Sequence, residues 1–183
     1  MSIKFEVYNR ETEKILYLKN NSNQNIGRIS PKYINWSFKN TDYLIYSEMV
    51  AKALFIGEEY ILIQHRGKTF RPNIDYINLY DFYCNIKYKI EPPILKTKEL
   101  NPDNKNFKSS FSGFNRLERK NENSPYEISI DDQDYVLVCL YDDIHCSHSP
   151  ELDDRGGKLH ELQALNIRTG KFHDSWCKFY GRL

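Results

Sequence analysis

The run "YVLVCLY", Tyr135 to Tyr141, is apolar at alternate and intervening positions alike. A strand that offers apolar side chains to both faces belongs in the middle of a sheet covered on both sides. The run therefore predicts a central strand, with Val136, Val138 and Leu140 in the core. The stretch "FYCNIKYKI", Phe82 to Ile90, has the complementary pattern: Phe82, Cys84, Ile86, Tyr88 and Ile90 alternate with polar Asn85, Lys87 and Lys89. That alternation predicts a half-exposed strand, stopped by Pro92 and Pro93.

Outward from these two runs, strand signals recur along the chain. "IKFEVY" (3–8), "KILYLKN" (14–20), "YINWSF" (33–38) and "IDYINLY" (74–80) read as short strands. "VAKALFIGEEYILIQHR" (50–66) reads as a hairpin turning at Gly57-Glu58, where glycine at the first central position suits a type II′ turn. Near the C-terminus, Arg168-Thr169-Gly170 predicts a tight turn with Gly170 available for positive φ. Two segments admit both readings. Residues 41–54 are either extended or helical, because Thr41 or Asp42 could cap a helix carrying Tyr43, Tyr46, Val50 and Leu54 on one face. Residues 157–167 are either extended or helical, because Leu159, Leu162 and Leu165 are spaced by three.

Composition points the same way. The mean hydropathy is −0.69, so much of the core must come from fourteen tyrosines, ten phenylalanines and two tryptophans, and such a bias favours sheet over helix. At 183 residues the chain suits a single globular domain spanning 1–183, with a long loop at 96–125 that is rich in Lys, Asn, Ser and Pro. The predicted fold is mainly β, a largely antiparallel sheet with one or two short helices, and α+β is the alternative. The start "MSIKFEVYNRETEK" lacks the basic and apolar regions of a secretory leader, and no run reaches membrane-spanning length. These features predict a cytoplasmic protein that avoids membranes. Its four cysteines, Cys84, Cys139, Cys146 and Cys177, are then expected as thiols or metal ligands, with Cys84 and Cys139 buried and Cys146 the most accessible.

The net charge of +1 conceals a division. Residues 1–120 carry 20 basic against 13 acidic side chains, a balance of +7; residues 121–183 carry 6 against 12, a balance of −6. Between Glu127 and Asp154 there are nine carboxylates and no Lys or Arg. A surface of that kind attracts a basic partner at an enhanced rate. Asp131, Asp132, Asp134, Asp142, Asp143, Glu151, Asp153 and Asp154 are the expected partner-binding acids, on an aromatic-rich face. The chain reads first as a small interaction or inhibitor protein, like the immunity proteins of bacteria, whose partner has a basic surface, as a toxin or nuclease does.

Two other chemistries compete. The loop "DDIHCSHSPELDD", 142–154, contains His145, Cys146 and His148, which are zinc-type ligands, although their spacing matches no paired-Cys knuckle, no HExxH helix and no finger. Asp142 or Asp143 could orient His145 or His148 for acid–base catalysis centred on Asp142–His148. "KNFKSSFSGFNRLERK", Lys105 to Lys120, interleaves Phe107, Phe111 and Phe114 with Lys105, Lys108, Arg116, Arg119 and Lys120, a pattern that could neutralise phosphates and stack on unpaired bases. The same phenylalanines with Leu117 also fit one buried helix face.

Overall fold

The computed structural model describes residues 4–9, 14–17, 33–46, 49–56, 59–66, 76–105, 109–114, 127–141 and 159–182. The chain divides into two compact units, Met1–Ile90 and Glu91–Leu183. All strand pairings described are antiparallel.

The first unit holds two four-stranded sheets. One contains β1 (Lys4–Asn9), β2 (Lys14–Tyr17), β3 (Tyr33–Phe38) and β4 (Thr41–Tyr46) in the order β2-β1-β3-β4. The other contains β5 (Met49–Ile56), β6 (Tyr60–Arg66), β7 (Tyr76–Asp81) and β8 (Ile86–Ile90) in sequence order. Side chains alternate across a strand, so Ile34, Trp36 and Phe38 of β3 share one face with Ile45 of β4. That face packs on Ala53, Ile61, Ile63, Tyr80 and Phe82 of the second sheet to form one buried cluster. The indole of Trp36 is buried, and its N–H donates to the carbonyl of Phe82 at 2.9 Å. The hairpin between β3 and β4 turns on Lys39 and Asn40, both at positive φ (49° and 63°).

The helix considered for 41–54 is corrected by this arrangement, because 41–46 lie in β4 and 49–54 in β5, while 47 and 48 fall outside the described residues. Tyr43 and Ile45 point inward while Asp42 and Leu44 are exposed, a period of two that tertiary packing rewards and a helix would scramble. The predicted hairpin is present, with Ile56 opposite Tyr60; Gly57 and Glu58 themselves lie outside the described residues. The strand predicted over 82–90 is shorter, confined to β8. Asp81 ends β7 by accepting hydrogen bonds from the Tyr83 N–H (3.0 Å), the Asn85 N–H (2.9 Å) and the Asn85 amide (3.0 Å). This local acceptor closes a turn in which Cys84 takes φ 67°, and its thiol, expected to be buried, is half-buried against the cluster around Trp36.

The second unit is a five-stranded sheet of β9 (Ser110–Phe114), β10 (Glu127–Ile130), β11 (Gln133–Tyr141), β12 (Leu159–Asn166) and β13 (Phe172–Arg182). The order is β10-β11-β12-β13, and β9 also pairs with β11. β11 is central as predicted, with Val136, Val138 and Leu140 fully buried and Leu137 and Cys139 buried on the opposite face. All eight residues of β12 are buried, which corrects the helical alternative for 159–166. In a strand Leu159 and Leu165 occupy one face and Leu162 the other. With both faces covered, spacing by three is as good as any. Among the described residues there is no helix, and the predicted loop at 96–125 contains β9. The turn after β12 forms where expected, with Gly170 at φ 68° and the Asn166 side chain accepting from the N–H groups of Arg168 (2.9 Å) and Thr169 (3.1 Å).

Candidate partner interface

Of the eight acids expected to bind a partner, the structure describes three. β10 and β11 form a hairpin with Ser129 opposite Asp134 and Ile130 opposite Gln133, which leaves Asp131 and Asp132 as the two turn residues. Both have positive φ, 50° and 59°, the feature of a type I′ turn, in which aspartate is among the few tolerated non-glycine residues. Asp131, Asp132 and Asp134 are exposed, and among the described residues none of them forms an ion pair. The tip therefore presents three solvated carboxylates on a short, strand-supported turn. Asp142, Asp143, Glu151, Asp153 and Asp154, with His145, Cys146 and His148, lie outside the described residues. Among those described, no group of three His, Cys, Asp or Glu side chains could hold a metal ion. Of the basic stretch, exposed Lys105 is ion-paired with Asp103 at 2.6 Å, and Phe111 is fully buried in β9, so that ring faces the core.

A polar cluster separate from the eight acids lies in the second unit. Glu161 is fully buried in β12. Its carboxylate accepts from the Lys96 N–H (3.0 and 3.2 Å), the Thr97 N–H (2.9 Å), the Thr97 hydroxyl (2.7 Å) and the Gln163 amide (2.6 Å). Gln163 also donates to the Ile94 carbonyl at 2.7 Å, and the Lys96 ammonium donates to the His173 carbonyl at 2.6 Å. The segment 94–97 is thus strapped onto one face of the sheet by a single carboxylate. Burial, the Glu161 charge and Glu99 push the Cys177 thiol up, partly opposed by Lys96. A carboxylate that accepts this many donors has no free lone pair directed at a substrate, so the cluster is an anchor. The signal for it was an acid inside the leucine-rich run "LHELQALN".

A second polar cluster lies inside the first unit. His65 is buried against Tyr76, rings stacked with centroids 4.8 Å apart. Its Nε2 lies 3.3 Å from the Tyr80 hydroxyl, which accepts from the Asn78 amide at 2.9 Å. Burial lowers the His65 pKa to about 4 and raises that of Tyr80, so both groups are neutral near pH 7.

β8 is the other exposed element. It closes one edge of its sheet, and Ile86, Lys87, Tyr88 and Lys89 are all exposed. A register shift between Leu79 and Tyr80 places Ile86 opposite Tyr80 and Tyr88 opposite Leu79. The two apolar residues consequently no longer share the buried face that their alternation predicted. Beside them Tyr83 is half-exposed, and Lys39 lies over its ring and that of Phe38 while donating to the Tyr83 hydroxyl at 2.7 Å.

With two antiparallel β units in view, comparison with known proteins defines the class at the level of fold. No family model matches the chain and no curated protein matches it. One solved chain is similar in structure, from the work described as "Structure of Tne2 in complex with Tni2": the TM-score is 0.64 over 98% of this chain and 99% of that chain, at 8% sequence identity. The two share a fold along nearly their whole lengths.

Proposed function

We propose that the chain is a small interaction protein of the immunity type, which inhibits a partner by binding its basic surface through the acidic region from Glu127 to Asp154. The observation that carries this reading is the β10–β11 tip, where Asp131, Asp132 and Asp134 are exposed and form no ion pair among the described residues. Like charges gathered this closely repel one another, and an opposing positive surface relieves the repulsion. The similar solved chain comes from a complex of two proteins, which supports a protein as the partner. Within this reading the partner is a cationic toxin or nuclease, met in the cytoplasm before it acts.

The test is to co-express the chain with the product of the gene beside its own, isolate the complex and measure association by surface plasmon resonance. A stoichiometric complex should form, and Asp131→Asn, Asp132→Asn and Asp134→Asn together should slow association and flatten its salt dependence, because exposed charges act chiefly through steering. A complex indifferent to both the triple substitution and salt would refute the charge-led mechanism. A neighbouring product that fails to bind, together with turnover by the isolated chain that His145→Ala and His148→Ala abolish, would replace it with the acid–base or metal reading.

A further inference from the structure

We infer that Gln133 is a positioning residue for the acidic tip: it ties the β10–β11 hairpin to the neighbouring β12–β13 turn and so fixes the carboxylates that a basic partner meets. The inference rests on the reading of that tip as the partner interface. Gln133 stands between Asp132 and Asp134, opposite Ile130 in the hairpin. Its side-chain carbonyl accepts from the Asn166 amide at 2.9 Å and from the Tyr135 hydroxyl at 3.3 Å. The Asn166 Oδ1 in turn accepts from the N–H groups of Arg168 and Thr169, so one amide holds its own turn and reaches the next hairpin. Tyr135 and Asn166 are register partners and both are buried. The His173 ring meets Tyr135 edge-on, with centroids 5.4 Å apart. The tie thus has a buried footing on one side and exposed acids on the other.

The tip needs such a tie. β10 is four residues long and ends the strand order of its sheet, and it runs into two aspartates in left-handed backbone conformations that cost a non-glycine residue free energy. A short edge strand ending in a turn of this kind gains order from any side chain that fastens its end. Steering depends on the summed charge and little on where each carboxylate points, so association tolerates a loose tip. Residence does not, because ordering a loose turn in the complex costs free energy that a fastened turn avoids. Loss of position therefore shows in dissociation, whereas loss of charge shows in association.

The test extends the surface plasmon resonance measurement on the complex with the product of the neighbouring gene. Gln133→Leu removes the acceptor and should raise the dissociation rate about fivefold, the size of one neutral hydrogen bond, with association and its salt dependence unchanged. Gln133→Glu keeps an oxygen for both donors and should restore slow dissociation, while its added charge speeds association. In the free chain, hydrogen exchange across 129–134 should be faster for Gln133→Leu and return to the natural rate for Gln133→Glu. Dissociation unchanged by Gln133→Leu, or equally fast in both variants, would overturn this inference alone if the Asp131, Asp132 and Asp134 triple still slows association. A large fall in the urea midpoint for Gln133→Leu would likewise overturn it, because the residue would then support the fold and not the tip. Absence of any complex would overturn the reading of the tip beneath it as well.

Discussion

Replacing Glu161 tests the strap most directly. Glu161→Ala removes the acceptor for two backbone N–H groups, one hydroxyl and one amide, while Thr97 and Gln163 remain buried around the gap. Each buried donor left without a partner costs about 1–3 kcal/mol, and the losses overlap, so the expected destabilisation is about 3–5 kcal/mol. Glu161→Gln is the informative intermediate. Its amide oxygen, set where Oε2 now lies, keeps the Thr97 N–H and hydroxyl. Its NH2 then faces the Lys96 N–H, which keeps only its 3.2 Å bond at the Oε2 position, and the Gln163 amide, which must rotate to offer its own Oε1, an atom with no hydrogen-bond partner among the described residues. That rotation gives up the bond to the Ile94 carbonyl, for a net loss of about 1–2 kcal/mol. Thr97→Val removes only the hydroxyl bond, about 1 kcal/mol. Urea unfolding followed by circular dichroism should rank the variants Ala, Gln, Val from most to least destabilised. An alanine variant within about 0.5 kcal/mol of the natural chain would show that packing of Leu95 and Leu100 holds the segment and that the carboxylate does not.

Three further outcomes are expected. His65 has its pKa lowered by burial to about 4; the unfolded chain binds that proton at higher pH, so the contribution is fully present above about pH 6.5 and is lost as pH falls toward 4, amounting to about 3 kcal/mol. His65→Gln should remove that part of the pH dependence of the urea midpoint, and an unchanged slope would contradict the buried neutral imidazole. Leu140→Ala, at a fully buried position of β11, should cost about 2–5 kcal/mol in the same assay, and a cost below 1 kcal/mol would mean that β11 is not central. Thiol titration of the native chain should modify Cys139, 2% exposed, after Cys84 and Cys177, both half-buried; Cys146, within the polar stretch 142–154 of the sequence, is expected first.

The strands were legible because period-two patterning and β-branched or aromatic residues report burial directly. Tyr33–Phe38 was placed without error, and so was the two-faced centre of the sheet at Val136–Leu140. The helical alternatives for 41–54 and 159–166 arose where spacing of three or four coincided with strands, and only the partner strands decide such cases. β8 was misread for another reason. Alternation shows that two faces differ, but not that the apolar one is covered, and a bulge at Leu79/Tyr80 with an Asp81-capped turn shifted Ile86 out of phase. Neither feature has a pattern of its own in a single sequence.

Glu161 and Asp131 show how far a charge count can be carried toward a function. Both enter the balance of −6 for residues 121–183, yet one is fully buried and its carboxylate is enclosed by donors, while the other is exposed at a hairpin tip. A carboxylate enclosed by its own N–H and hydroxyl partners cannot be approached by a partner's cation, whereas a solvated tip can, and its field reaches about 8 Å at physiological salt. Removing Glu161 from the count leaves eleven acids against six bases, a balance of −5, and the acidic reading survives the correction. It would not survive if Asp131, Asp132 and Asp134 were similarly enclosed. The partner hypothesis therefore depends on where the acids sit, and the salt dependence of association by the triple Asn variant measures that quantity directly: loss of the slope locates the steering field at this tip, and an unchanged slope moves it to other charges.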